Sequence, residues 1–179
     1  MVEENFHIRR AVPDDARLLS TLSEVTFFDT FNDTCTSEDI QEFIEASFNV
    51  MQVFKELQDT EDFYFIAFIN GDAAGYMRLK EDESEVPAIR KHRSIELKRI
   101  YVLKDFHSRK IGAKLMAFAL NFAAEKKYEL IWLGVWEHNE RAKSFYKKFG
   151  FEDTGFRHPF PIGKTQQTDN WLYRIIERN

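Results

Sequence analysis

The stretch Asn139–Phe151 reads NERAKSFYKKFGF, and it follows the strongly apolar segment Leu130–Trp136, LIWLGVW. Alternate residues of a strand point to opposite faces, and this segment is apolar on both of them. Such a pattern is typical of a strand inside a sheet that helices cover above and below. Asn139–Phe149 is predicted to be a helix, and Gly150 suits the left-handed conformation that commonly follows a helix end.

Upstream, a strand predicted over Ser94–Leu103 leads through His107–Gly112, HSRKIG, into a helix predicted over Arg109–Lys126. The apolar residues of this helix fall three or four positions apart, which places them on one face. A strand, a crossover helix and a second strand form a βαβ unit. We therefore expect Ser94–Leu103 and Leu130–Trp136 to run parallel.

The rest of the chain predicts further elements around this unit. The predicted strands are Asn5–Val12, Phe63–Ile69, Ala73–Leu79, Phe151–Phe160 and Gln167–Ile176, and the predicted helices are Pro13–Phe28, Ser37–Phe48 (capped by Ser37) and Val50–Leu57. Asn70-Gly71 is the strongest two-residue hairpin signal, and the charged segment Glu81–Arg93 is predicted to be a surface loop. We expect one α/β domain over residues 1–179, with a mixed, mostly antiparallel sheet, one central parallel pair and helices on both faces.

Composition narrows the possible functions. The net charge of -5 argues against direct nucleic-acid binding, which requires a basic patch, and suits a cationic small molecule, although mild acidity is common in soluble proteins. The lone Cys35 excludes an internal disulfide and has no adjacent base to activate it. There is no apolar run long enough to span a membrane, and MVEENFHIRR is not a signal peptide. We expect a cytoplasmic protein with no metal site.

The start of the helix after His107 is a candidate anion site. The first amides of a helix have no internal partner, and the helix dipole is positive at that end. Arg109, Lys110 and Lys114 add positive charge, and Gly112 permits close approach to the backbone. Taken alone, a glycine at a helix start is most often only a cap.

The two segments together resemble the Gcn5-related N-acetyltransferases. In that superfamily the first segment reads Q/R-x-x-G-x-G/A; here Gly112 matches, whereas His107 and Lys110 replace the first residue and the first glycine. The second pattern, N-x-x-A-x-x-F-Y-x-K-x-G-F, is matched from Asn139 to Phe151 at every stated position. The resemblance implies the acyltransferase fold of that superfamily and transfer of acetyl from acetyl-CoA to an amine.

A closer likeness is to the PaiA-type polyamine acetyltransferases. It rests on Phe28–Thr34, Ile131–Glu137, Phe145–Gly150 and Gln167–Asp169. This likeness implies that the acceptor is a polyamine such as spermidine or spermine, attacked directly in a ternary complex. Other readings stay open: an acetyltransferase for a protein, peptide or antibiotic amine, or a coenzyme-A-binding regulatory protein. A homodimer is compatible with the sequence.

The resemblance also implies which residues bind the cofactor. They are Ile100, Tyr101, Val102, His107, Ser108, Arg109, Lys110, Ile111, Gly112, Ala113, Asn139 and Lys148. The strand amides around Tyr101 would hold the pantetheine arm, the helix start would hold the diphosphate, and Lys148 would reach the nucleotide phosphates. The parallel strands must splay apart to free these amides, and Gly134 would ease that distortion.

Catalytic roles follow from the same resemblance. Tyr146 would protonate the leaving thiolate, although a tyrosine on an amphipathic helix is commonly a core residue. Glu96 is the best side-chain candidate for the base, and a solvated strand carboxylate is an equally good reading of it. Ribosomal-protein acetyltransferases carry a catalytic Glu where this chain has Gly134, which argues against their substrates here.

The acceptor pocket in this superfamily borders the first two helices. Four carboxylates are candidates to bind the ammonium groups of a polyamine: Glu24, Asp29, Asp33 and Glu137. Ordinary surface charge is the alternative reading for each of them.

Overall fold

Seven strands form one mixed sheet in the computed structural model, which describes residues 4–177. The strands are β1 (Phe6–Arg10), β2 (Asp62–Ile69), β3 (Asp72–Lys80), β4 (Ser94–Val102), β5 (Leu130–Trp136), β6 (Glu152–Pro159) and β7 (Thr168–Ile175). Their order in the sheet is β1-β2-β3-β4-β5-β7-β6. The helices are α1 (Ala16–Phe31), α2 (Ser37–Ser47), α3 (Val50–Gln58), α4 (Pro87–Arg90), α5 (Ile111–Glu125) and α6 (Glu140–Lys148).

Three local predictions need correction. Pro13 opens only a 3-10 turn, Pro13–Asp15, before α1 begins. The cap of α2 is Thr36 rather than Ser37, because Thr36 has an extended backbone and its side chain accepts a hydrogen bond from the Asp39 amide at 3.2 Å. The predicted loop Glu81–Arg93 contains the short helix α4, since Pro87 occupies its first turn, where a missing N–H costs nothing.

The predicted splay of the parallel pair is confirmed. β4 and β5 pair only at Ser94–Glu96 against Leu130–Trp132. Beyond this point β4 stays paired with β3 as far as Val102, and β5 stays paired with β7 as far as Trp136. Both strands therefore continue as strands while they part from each other.

A bulge in β4 lies where the two strands separate. Arg99 pairs with Arg78 and Leu97 pairs with Leu79, so Lys98 has no partner in β3. An extra residue of this kind bends its strand and increases the local twist. The bulge thus favours the turn of β4 away from β5.

Helices cover both faces of the sheet, as expected. On one face α5 packs through Leu115, Met116 and Ala119 into a core that includes Ile131 and Leu133 of β5. On the other face, the buried cluster contains residues of α1, α3, β2 and β3. Within residues 4–177, no helix is long and apolar enough to cross a membrane.

Candidate active site

The gap between β4 and β5 opens into a cavity of about 1140 Å³. Its walls come from α1, α6 and the strands β4, β5 and β7. The side of Ile100–Val102 that faces away from β3 lies along this gap, because β5 no longer supplies partners there. A chain with free amide and carbonyl groups can hydrogen-bond an extended ligand as a sheet edge would. His107 lies at the end of this stretch, with Nε2 3.0 Å from the Val102 carbonyl oxygen.

The start of α5 forms the second wall of the site. The first intrahelical bond runs from the Lys114 amide to the Lys110 carbonyl, so the amides of Ile111, Gly112 and Ala113 have no helical partner. An added Cβ at Gly112 would meet nothing closer than Phe145 at 3.8 Å. The protein itself leaves space for a side chain at this position.

At Lys110 the chain departs from the family pattern in residue type but not in backbone conformation. Lys110 is the residue before α5 and has a left-handed backbone, with φ 58° and ψ 20°. Ser108 also has a positive φ of 70°. The turn therefore keeps the shape that suits glycine, although this chain has lysine at the position.

The remaining cofactor candidates lie in different surroundings. Arg109 donates to Glu4 Oε1 at 2.8 Å. Asn139 lines the cavity, and its Oδ1 caps α6 by accepting from the Ala142 amide at 3.0 Å. Lys148 is exposed and does not line the cavity. The structure thus brings the helix start, the strand edge and Asn139 together, and leaves Lys148 outside.

Tyr146 projects from α6 into the cavity. Its side chain is buried and makes no hydrogen bond with any residue in the described range 4–177. Burial raises the pKa of the phenol, and the nearby Asp169 carboxylate raises it further. Tyr146 is therefore fully protonated at neutral pH and can serve as a proton donor.

Glu96 lies in the cavity wall where β4 and β5 still pair. Its Oε2 is 2.7 Å from Lys98 Nζ, and the same ammonium group lies 3.2 Å from Asp82. Burial raises the pKa of Glu96, and the ion pair with Lys98 opposes that rise. The carboxylate is thus inside the site but already has a cation.

One of the four predicted substrate carboxylates lines the cavity. Asp29 does so and binds Lys104 at 2.8 Å. Glu24 and Asp33 are exposed and outside the cavity lining. Glu137 is half-buried beside His138, also outside the lining.

Asp169 is a cavity residue whose position sequence reasoning missed. It lies on β7, and an added Cβ at Gly134 would come within 3.0 Å of its Oδ2. In the sequence, Asp169 contributes to the likeness of Gln167–Asp169 to PaiA-type enzymes and carries no other functional signal. The available signal was an acidic residue shortly before the aromatic residues of the last strand, but its position depends on the register of β7 against β5.

The family follows from a comparison with known sequences. Residues 23–151 match the model of the acetyltransferase (GNAT) family. The chain belongs to this family. Among GNAT relatives, an uncharacterized N-acetyltransferase of Lactobacillus delbrueckii subsp. lactis is 36% identical over 156 residues, which cover 87% of this chain and 88% of the relative.

Solved structures show the same GNAT fold. The PaiA N-acetyltransferase of Thermoplasma acidophilum, determined in complex with coenzyme A, aligns with a TM-score of 0.77 at 19% identity and covers 96% of this chain and 99% of that one. Mutant forms of the spermidine/spermine N-acetyltransferase SpeG of Vibrio cholerae align with a TM-score of 0.65 at 19% identity and cover 96% and 95%. At these identities the likeness concerns the fold.

The chain is an acetyl-CoA-dependent GNAT N-acetyltransferase. The residues present fit coenzyme A, because β5 pairs with none of Ile100–Val102, and the amides of Ile111–Ala113 have no hydrogen-bond partner in the described chain. Bound acetyl-CoA supplies an activated acetyl thioester.

Proposed function

We propose that this acetyltransferase modifies a polyamine, such as spermidine or spermine, whose amine attacks the acetyl thioester directly. The observation that carries the proposal is a part of the cavity that combines aromatic rings with the Asp169 carboxylate, which pairs with no cation among residues 4–177. The sequence likeness to PaiA-type enzymes points to the same substrate class, and one structural neighbour is named as a spermidine/spermine N-acetyltransferase.

Aromatic side chains form much of this acceptor side. Trp132, Trp136 and Trp171 all line the cavity, and Trp132 and Trp171 lie 4.7 Å apart between ring centroids. Aromatic faces attract alkylammonium groups through the ring quadrupole, and their apolar surface suits the methylene chain between them. These rings therefore fit a flexible chain that carries separated ammonium groups.

The charges in the cavity favour a cationic acceptor beside the Asp169 carboxylate. Arg78 is held by Asp62 at 2.6 Å and by Glu56 at 3.0 Å, and Lys104 is held by Asp29. The side chain of Asp169 has no hydrogen bond or ion pair within the described part of the chain. An ammonium group would be the natural partner of this partly buried carboxylate.

The proposed mechanism assigns one task to each wall of the cavity. The amides of Ile111–Ala113 hold the diphosphate at the positive end of α5. The β4 edge at Ile100–Val102 positions the pantetheine arm, and one strand amide donates to the acetyl oxygen, a contact worth about 3 kcal/mol in comparable enzymes. Tyr146 gives its proton to the departing sulfur. Glu96 and Asp169 both line the cavity and are the candidates to take up the proton of the amine.

Turnover with defined amines tests the proposal. Release of free thiol from acetyl-CoA should be at least about tenfold more efficient, as kcat/KM, with spermidine than with butylamine, which has one ammonium group, or with a short peptide amine. Tyr146→Phe should lower kcat by about 100-fold while the Kd for coenzyme A stays within about twofold. Preferred turnover of the peptide would overturn the polyamine assignment. Tight coenzyme A binding without turnover of any amine would instead indicate a binding protein.

A further inference from the structure

We infer that Asp169 is the residue that receives the ammonium group of the acceptor and takes up its proton during acetyl transfer. The inference rests on the proposed function and adds a catalytic residue to it. Its basis is the position of the Asp169 carboxylate beside the gap between β4 and β5.

Strand register places Asp169 at the open end of the gap. Asp169 of β7 pairs with Trp136 of β5, and direct partners in an antiparallel pair project from the same face. Gly134 lies two residues before Trp136 and so shares that face. The carboxylate leans across the glycine, with Oδ2 3.0 Å from the position of a Cβ at Gly134. A side chain at position 134 would press against the Asp169 carboxylate and displace it by a few tenths of an ångström, so glycine leaves room for the carboxylate.

Among the groups around Asp169, none in the described chain is a cation that pairs with its carboxylate, so the carboxylate is available to an amine. Tyr146 of α6, Tyr101 of β4 and Glu96 of β4 are the titratable groups that couple to it electrostatically, and His158 is its register partner on β6. No described cation pairs with Asp169. Glu96, in contrast, is ion-paired with Lys98 at 2.7 Å. Asp169 can therefore bind an incoming ammonium without breaking an existing pair.

The environment also raises the proton affinity of this carboxylate. Burial, with a smaller contribution from the Glu96 charge, raises the pKa of Asp169 to about 6. The group is still ionised at neutral pH, and it is a stronger base than an exposed aspartate. Both properties are required of a residue that first binds an ammonium group and then removes its proton.

The transfer balances with Asp169 and Tyr146 as the two proton-handling groups. The nitrogen forms a bond to the acetyl carbon as the carbon–sulfur bond breaks, and the electron pair of that bond goes to sulfur. The nitrogen loses two protons on the way from ammonium to amide. Asp169 takes the first and passes it to solvent, and the second leaves to solvent after the nitrogen–carbon bond has formed. Sulfur gains the Tyr146 proton, and Tyr146 is reprotonated from solvent. Overall, one proton is released to solvent for each acetyl group transferred.

Kinetics of Asp169→Asn provide the first test. With spermidine, kcat/KM should fall by about 100-fold or more, and its rise with pH through about 6 should be lost. Glu96→Gln should have a smaller effect than Asp169→Asn, and coenzyme A should bind both variants as it binds the parent protein. The control Asp72→Asn, at an exposed strand end, should match the parent. An Asp169→Asn enzyme that keeps at least about a third of its activity with an unchanged pH profile would overturn the inference, as would a larger loss in Glu96→Gln.

Gly134→Ala tests the geometry. The added methyl group must displace the carboxylate, so activity should fall in the parent background and show no further fall in Asp169→Asn. Independent losses in the double variant would contradict the link between the two residues. A circular dichroism spectrum like that of the parent shows that the variant has folded.

A titration without substrate separates this inference from the polyamine proposal. Carbon-13 NMR of the aspartate carboxyl groups, with Asp169→Asn to assign the signal, should show Asp169 titrating near 6. A value near 4 would overturn the inference. If the protein acetylates only the peptide amine and Asp169→Asn abolishes that reaction, the polyamine proposal fails and the role of Asp169 stands.

Discussion

At the scale of a single residue, Lys110 adopts a backbone conformation that glycine usually occupies. Its φ of 58° lies in the left-handed region, which costs a residue with a Cβ about 1 to 2 kcal/mol. Lys110→Gly removes that cost, and the greater freedom of glycine in the unfolded chain offsets part of the gain. The free energy of unfolding, measured by urea denaturation, should therefore rise by about 1 kcal/mol.

The matched control at this residue is Lys110→Ala. Alanine removes the same charge but keeps the Cβ, so it should leave the free energy of unfolding nearly unchanged. Equal stabilisation by alanine and glycine would show that charge, rather than backbone conformation, sets the energy at this turn.

At the scale of secondary-structure elements, Arg78 connects strands to a helix. Its guanidinium on β3 binds Asp62 of β2 at 2.6 Å and Glu56 of α3 at 3.0 Å, and all three side chains are buried. Breaking a buried pair leaves an uncompensated charge, which typically costs about 3 to 5 kcal/mol. Arg78→Met should lower the free energy of unfolding by that amount in a denaturant titration.

Arg157→Met on β6 is the comparison for this network. Arg157 binds Asp153 at 2.8 Å, but both side chains are largely exposed, and such surface pairs contribute about 1 kcal/mol at most. A loss in Arg157→Met as large as in Arg78→Met would contradict the assignment of the energy to burial.

The elements also show what the sequence alone could predict. The apolar pattern of Leu130–Trp136 and the helix signals around it were enough to predict the parallel pair, and the likeness to known acetyltransferases predicted where that pair opens. The short helix α4 was missed because its four residues are too few to show a helical period within a charged segment. Asp169 was missed as a cavity residue because its place beside Gly134 depends on strand register, which the local sequence does not encode.

At the scale of the whole molecule, the sheet consists of two antiparallel blocks. Strands β1 to β4 form one block and β5, β7 and β6 form the other, and between them only Ser94–Glu96 pairs with Leu130–Trp132. The cavity occupies the seam where the blocks part. Residues that are distant in sequence, such as Tyr101, Tyr146 and Asp169, therefore meet there.

Holding a carboxylate in this seam should cost stability in a pH-dependent way. The pKa of Asp169 is raised to about 6 in the folded protein from an ordinary value of 3.8. Because the folded state binds the proton more tightly, this group lowers the stability as pH rises from about 4 to about 6, and the loss persists at higher pH. Asp169→Asn removes the buried charge, so at about pH 8 it should raise the free energy of unfolding by as much as about 3 kcal/mol.

The difference between Asp169→Asn and the parent protein should shrink toward zero near pH 4, where Asp169 is protonated in the folded state. Urea denaturation of both proteins between about pH 4 and pH 8 measures this difference in the free energy of unfolding. The contributions of the other carboxylates that titrate in this range are the same in both proteins and cancel in the difference. A stabilised but inactive variant would show that the carboxylate is kept for catalysis at the expense of folding, as expected for active-site groups. A variant that is equally stable at both pH values would mean that water reaches the carboxylate freely in the folded protein.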